Sequence, residues 1–299
     1  MAKILSNRLE IEYDTFGDQT APPLILIAGL GGQMIIWSSD FCRVLAEKGL
    51  WVIRFDNRDT GLSTKIEEPG APDSDTLLTL LGRGEKIKIP YSLEDMAADA
   101  IGLMDGLGIE KAHICGASMG GMIGQIMAIR SPERVLSLTS IASATGNPEI
   151  RRDRITEVET PYSKPLPVPS KREEYIEYMV RGLRALSGPG FPYNEAEISE
   201  LAGQLFDRSF YPEGAARQLL AVLTAGNRKP ALLKTNIPAL IIHGDSDPLV
   251  PVECGYDTAE AIPGAELLII KGMGHDLPKG AWPQIIEAII KRTRSQAVK

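Results

Sequence analysis

Short, uninterrupted apolar runs alternate along the chain with longer segments whose apolar residues recur every three or four positions. Leu24-Ile25-Leu26-Ile27-Ala28, Trp51-Val52-Ile53-Arg54-Phe55, the stretch from Ala112 to Gly116, Val135 to Ile141, Ala239 to His243 and Glu266 to Ile270 are the runs. Each is too short for a helix and reads as a strand covered on both faces of a largely parallel sheet. Leu9 to Phe16 instead alternates apolar with polar, in the manner of an edge strand, and Gly17-Asp18 turns it. The helical segments lie between. Ser39 to Lys48 is closed by Gly49. Ser92-Leu93-Glu94-Asp95 opens like a capping box and leads into Leu93, Met96, Ala97, Ala100, Ile101, Met104 and Leu107. Met119, Met122, Ile123, Ile126 and Met127 follow, and later Val252 to Ile262 and Ala281 to Arg292. Strand and helix in alternation imply an α/β architecture with helices on both faces of the sheet.

The alternation breaks between Thr145 and Thr235. Pro161, Pro165, Pro167 and Pro169 mark an irregular linker, after which Tyr175 to Leu186, Glu195 to Phe206 and Gly214 to Leu223 carry helical stripes without an intervening strand. Residues 1–144 and 236–299 therefore read as one core, and 145–235 as a helical cap inserted into it. Lys65 to Pro90 reads as a loop excursion. No internal repeat or low-complexity segment interrupts this plan.

Composition narrows the function. A net charge of −7 without a dense Lys/Arg stripe argues against a nucleic-acid binder. The three cysteines, Cys42, Cys115 and Cys254, are scattered and odd in number, which suggests reduced thiols. Met1 to Leu9 lacks the charged and apolar regions of a signal peptide, and the nearly uncharged run Pro22 to Trp37 is too short and too glycine-broken for a membrane span. The expected setting is cytoplasmic, with no membrane partner. No metal-ligand spacing or phosphate loop is present, so no cofactor or metal is expected.

The chemistry centres on Gly116-Ala117-Ser118-Met119-Gly120, where the apolar run from Ala112 meets the helical pattern. Strand, sharp turn and helix with a serine at the turn form the G-x-S-x-G nucleophile elbow. The strained turn lifts the Ser118 hydroxyl clear of the sheet edge, and the helix N-terminus points its N–H groups at the same place. A serine hydroxyl needs a general base, and the chain has only three histidines. His113 falls within the elbow strand and His243 at the end of another, so both read as structural. His275, in Gly272-Met273-Gly274-His275-Asp276, follows the last strand. The carboxyl ends of parallel strands share one rim, so Ser118 and His275 should meet there. The acid that orients the base should lie on the same rim. Asp245 and Asp247 both follow the preceding strand. Asp247 is further out, where it can turn toward a neighbour, while Asp245 could brace the turn. Glu149, after the strand that follows the elbow helix, is a third carboxylate on that side.

The chain order Ser118, Asp247, His275, with these flanking motifs, resembles the α/β-hydrolase family over nearly the whole length. Ile27-Ala28-Gly29-Leu30-Gly31-Gly32, with Trp37 beyond, resembles the family's oxyanion loop. Asp56-Asn57-Arg58-Asp59-Thr60-Gly61-Leu62-Ser63 resembles its D-x-R-G-x-G-x-S stretch, and His243-Gly244-Asp245-Ser246-Asp247 its H-G-x-x-D acid loop. That last match implies Asp247 as the acid. The D-x-R-D-T-G form and the M-G-H-x-L-P ending are similar to the serine-esterase branch that includes aclacinomycin methylesterase. The resemblance also implies the Leu30 and Met119 N–H groups as the two oxyanion donors; Met119, directly after Ser118 at a helix N-terminus, suits that role physically. One departure is Ala28, where the family usually has a histidine that braces the loop. The expected activity is hydrolysis of a small or medium apolar ester through an acyl-enzyme, with other serine-based chemistry such as lactone opening, C–C bond hydrolysis or perhydrolysis, or a weakly hydrolytic ligand-binding role, as the alternatives.

Overall fold

A computed structural model describes residues 2–67, 88–150 and 168–295. Its frame is an eight-stranded sheet of β1 (Ala2–Ser6), β2 (Leu9–Phe16), β3 (Pro23–Ile27), β4 (Trp51–Phe55), β5 (Ala112–Ala117), β6 (Val135–Ile141), β7 (Ala239–Gly244) and β8 (Glu266–Ile270), in the order β1-β2-β4-β3-β5-β6-β7-β8. β1, β2 and β4 pair antiparallel; from β4 to β8 every pairing is parallel. This is the mostly parallel α/β sheet that the apolar runs predict.

The continuous runs are explained by burial on both faces. Along β3, Ile25 and Ile27 join Ile53, Ile114 and Leu138 on one side, against Met96, Ala100 and Leu103 of α2 (Leu93–Gly106) and Ile123 and Ile126 of α3 (Met119–Arg130). The alternate residues Leu24 and Leu26 join Val52, Leu240 and Ile242 on the other side. There they meet Phe41 and Leu45 of α1 (Ser39–Glu47) and Ile285 and Ile289 of α9 (Trp282–Arg294). Each fully buried Leu, Ile or Phe contributes ~1.5–3 kcal/mol of transfer free energy, so the two layers fix the sheet's register as well as its cover. The capping box at Ser92 forms as expected: Ser92 Oγ accepts from the Asp95 N–H (3.2 Å), and Asp95 Oδ2 accepts from the Ser92 N–H (2.8 Å).

One expectation needs correcting. β2 is not an edge strand, because β1 pairs along its outer side from Ala2↔Tyr13 to Ser6↔Leu9. The outer strand left no signal in the pattern since its side chains are mostly in solvent; Leu5 is 71% exposed.

Between β6 and β7 the described residues form α4 (Arg172–Leu186), α5 (Glu195–Arg208), α6 (Pro212–Thr224) and the short α7 (Lys229–Leu232), with no strand among them. α8 (Val252–Ala261) then follows β7. The prolines at 161, 165 and 167, and most of the 65–90 excursion, lie outside the described residues. Among the described residues no helix is long and apolar enough to cross a membrane.

Two of the three histidines are built into the sheet. His113 is 3% exposed, with Nδ1 2.8 Å from Ser137 Oγ, and burial pushes its imidazole down to about 4. Its ordinary value is 6.5. Between those two values the unfolded chain takes up a proton that the folded chain refuses. Stability is therefore fully present above pH 6.5 and declines as the pH falls toward 4, by on the order of 3 kcal/mol. His243, which burial also pushes down, acts in the same direction. Urea titrations at pH 7 and pH 4.5 should show a smaller difference for His113→Asn than for the parent; equal differences would show that His113 is not buried as a neutral group.

Candidate active site

Ser118 stands between β5 and α3 with φ 53° and ψ −118°, a conformation that costs a non-glycine residue about 1–3 kcal/mol. Its neighbours hold it there. The Ser118 N–H donates to the Ile141 carbonyl (2.8 Å), and the Ser118 carbonyl accepts from Ser143 Oγ (2.8 Å) and the Gly121 N–H (2.9 Å). The two flanking glycines allow the close packing. A Cβ on Gly116 would lie 2.1 Å from the Gly120 carbonyl oxygen, and one on Gly120 would lie 2.2 Å from that of Ile27. No side chain fits at either position. Ser118 is half-exposed, whereas Met119 beside it is buried.

The loop after β3 lies alongside. A methyl group on Gly29 would come within 3.4 Å of Ser118 Cβ, which brings Leu30 to the same end of the sheet as the elbow. Met34 N–H donates to Asp56 Oδ1 (2.7 Å), and Asn57 Nδ2 donates to the Ala28 carbonyl (3.2 Å). The loop after β3 is thus tied to the loop after β4.

His275 and Asp247 come together. His275 Nδ1 lies 2.7 Å from Asp247 Oδ2, and the other carboxylate oxygen accepts the Leu249 and Val250 N–H groups at 2.9 and 2.8 Å. The Asp247 side chain has no solvent exposure and that of His275 has 10%. A carboxylate accepts, so His275 Nδ1 carries the hydrogen, which in the neutral ring leaves the lone pair on Nε2. Asp245 does something else: its Oδ1 accepts from the Gly272 N–H (2.6 Å) and Ser246 Oγ (2.9 Å), joining the turns after β7 and β8. Glu149 lies exposed, its N–H on Asn147 Oδ1. His243 is fully buried and donates Nε2–H to the Val250 carbonyl (2.8 Å), which steadies the Asp247 loop from below. The Asp245 and His243 bonds agree with the bracing and structural readings of those residues.

Several residues that sequence patterns did not single out fasten the helices between β6 and β7 to this rim. Gln33 Nε2 donates to the Leu205 (2.7 Å) and Ser209 (3.0 Å) carbonyls, and Arg208 bridges Gln33 Oε1 (2.8 Å) and Asp56 Oδ2 (2.7 Å). Arg217, 2% exposed, pairs with Asp59 at 2.8 Å, and Gln218 beside it is fully buried. At the far end the His275 N–H donates to the Leu186 carbonyl (2.8 Å). The D-N-R-D-T-G stretch thus acts as a junction, with Asp56 and Asp59 each holding an arginine of the helices between β6 and β7.

Comparison with known proteins bears on the family and the fold. Residues 22–163 match the family described as alpha/beta hydrolase fold, and residues 217–285 match one described as TAP-like protein. Rhodomycin D methylesterase of Streptomyces peucetius is 30% identical over 99% of this chain and 98% of its own length. A 3-oxoadipate enol-lactonase of Acinetobacter baylyi is 28% identical over 94% of this chain and 93% of its own. Among solved structures, a thermophilic esterase from Thermogutta terrifontis superposes with a TM-score of 0.73 at 23% identity, covering 99% of this chain and 98% of that one. The chain belongs to the α/β-hydrolase family.

Proposed function

We propose that the protein is a serine carboxylic-ester hydrolase in which Ser118 is the nucleophile, His275 the general base and Asp247 the acid that orients it. Residues 145–235 form its cap, and residues 1–144 and 236–299 its core. That it hydrolyses esters accords with the full-length relative named as a methylesterase. The observation that carries the assignment of roles is the buried Asp247 on His275 Nδ1, on the rim where Ser118 is held at positive φ.

The cycle follows from ordinary acyl-transfer chemistry. Ser118 Oγ attacks the ester carbonyl while His275 Nε2 takes its proton, and Asp247 stabilises the imidazolium. The carbonyl oxygen becomes an oxyanion, for which the N–H groups of Leu30 and Met119 are the donors. Among the described residues neither N–H meets a protein acceptor, so both are free for that charge. The imidazolium returns its proton to the departing alcohol. Water activated by the same histidine then releases the acid from Ser118.

A panel of esters differing in acyl and alcohol length, methyl esters included, tests the reading. Hydrolysis with a preference for apolar esters is expected; binding without turnover across the panel would place the chain among ligand-binding members of the fold instead. A cyclic ester belongs in the panel, because the relative named as an enol-lactonase favours lactone opening as the second reading. A lactone uses the same residues and differs only in that the leaving alcohol stays tethered.

A further inference from the structure

We infer that Gln218, on α6 of the cap, is a positioning residue for the Leu30 oxyanion donor, so that the cap forms part of the oxyanion scaffold; this rests on the esterase reading above. The loop from Gly29 to Gly32 is a turn closed by the Gly32 N–H on the Gly29 carbonyl (3.1 Å). That bond fixes the side of the turn preceding Leu30. On the other side, Gly31 has φ +68°, and its N–H donates to Gln218 Oε1 at 2.8 Å. Gln218 Nε2 in turn donates to the Arg58 carbonyl at 2.8 Å.

An N–H can only donate and a carbonyl can only accept, so these two partners leave the Gln218 amide a single orientation. The Gly31 N–H belongs to the peptide plane directly after Leu30. The Leu30 N–H itself lies in the plane before, whose Gly29 carbonyl is held by the Gly32 N–H; with Gln218 holding the plane after, both planes flanking Leu30 are fixed and its N–H keeps its aim. The Ala28 side chain, a methyl group, brings no hydrogen bond to this loop.

The seat of α6 is independently fixed by close approach. A Cβ on Gly214 would lie 2.0 Å from the Asp59 carbonyl oxygen, and a Cβ on Gly31 would lie 3.3 Å from the Ala215 Cβ. One residue before Gln218, Arg217 holds Asp59 through Nε (2.8 Å) and an amino group (3.2 Å). The helix therefore reaches the loop through small residues on one turn and polar side chains on the next. An aliphatic side chain of the same length would fill the space at 218 but would release the Gly31 N–H. An oxyanion donor works only if it is aimed before the charge forms, so an error in aim reaches kcat more than substrate binding.

The experiment compares the parent enzyme with Gln218→Met. The parent is first checked for p-nitrophenyl acetate turnover and for fluorophosphonate labelling at Ser118; failure there overturns the esterase reading and this inference with it. Given a working parent, Gln218→Met should lose about 10- to 100-fold in kcat, somewhat less than deleting a donor outright, with KM within about threefold. Affinity for a trifluoromethyl ketone, whose adduct carries an oxyanion, should fall by the same factor as kcat. A role confined to packing would lower the thermal midpoint yet leave kcat and ketone affinity of the folded enzyme unchanged, and that outcome overturns the inference. If Gln218→Met does not fold, Gln218→Asn keeps a buried amide but withdraws it by one methylene. Reduced kcat at constant KM in that variant supports the positioning role, and parental kcat refutes it.

Discussion

Ser118→Ala should abolish fluorophosphonate labelling of the whole chain and lower kcat for ester hydrolysis by on the order of a million-fold, while substrate still binds. The size of the effect follows from the unit that the serine belongs to. Without Oγ there is no acyl-enzyme, so His275 and Asp247 have no proton to handle and their contribution vanishes along with the nucleophile. What remains is the oxyanion hole acting on water, a residual of roughly a thousand- to ten-thousand-fold over the uncatalysed reaction. Folding should suffer little. Ser118 Oγ caps no backbone group of α3, and the bonds that hold the turn run through its N–H and carbonyl, which alanine keeps. Mass spectrometry of the labelled protein decides the matter: a modified peptide other than the one containing residue 118, or labelling that persists in Ser118→Ala, would remove the serine from the nucleophile role.

The sheet was legible from the sequence because burial on both faces leaves a signature that solvent does not blur. β3, β5 and β7 each form where a continuous apolar run stands, and the runs end where loops open on the rim. β1 was missed for the opposite reason: it is short, lies at the edge and shows Leu5 to water. At the site, chain order and loop position were enough to put Ser118, Asp247 and His275 after the ends of parallel strands, where the structure has them and where His275 meets Asp247, since the strands could be counted. The bonds of Gln33, Arg208, Arg217 and Gln218 left no such trace. Gln218 meets Gly31 across 187 positions of sequence, and a glutamine on an amphipathic helix has no local feature that separates a buried amide bonded at both ends from a solvated one. Only the approach of α6 to the loop after β3 gives that residue its meaning. The same holds for Asp56 and Asp59, whose motif could be matched by resemblance but whose arginine partners lie in the helices between β6 and β7.

Asp247→Asn should lower kcat by about ten-thousand-fold with little change in KM, whereas Asp245→Asn should cost less than about tenfold. The asymmetry lies in what each carboxylate accepts. Asp247 Oδ1 takes two backbone N–H groups, from Leu249 and Val250, and these can be satisfied only by an oxygen. An asparagine at 247 therefore keeps its oxygen on that side and turns its NH2 toward His275. The NH2 is a donor, so it selects the tautomer with the hydrogen on Nε2 and the lone pair on Nδ1. In that tautomer His275 has nothing with which to accept the Ser118 proton, and the negative charge that would stabilise an imidazolium is gone as well. Among the described residues Asp245 is engaged only through Oδ1, by the Gly272 N–H and Ser246 Oγ, and the asparagine oxygen can accept both. The rate of fluorophosphonate labelling should follow the same ranking, since it depends on the same proton transfer and on no leaving alcohol. A variant series in which Asp245→Asn is the slower enzyme would move the acid to the residue that joins the turns after β7 and β8, and would leave the Asp247–His275 contact as packing.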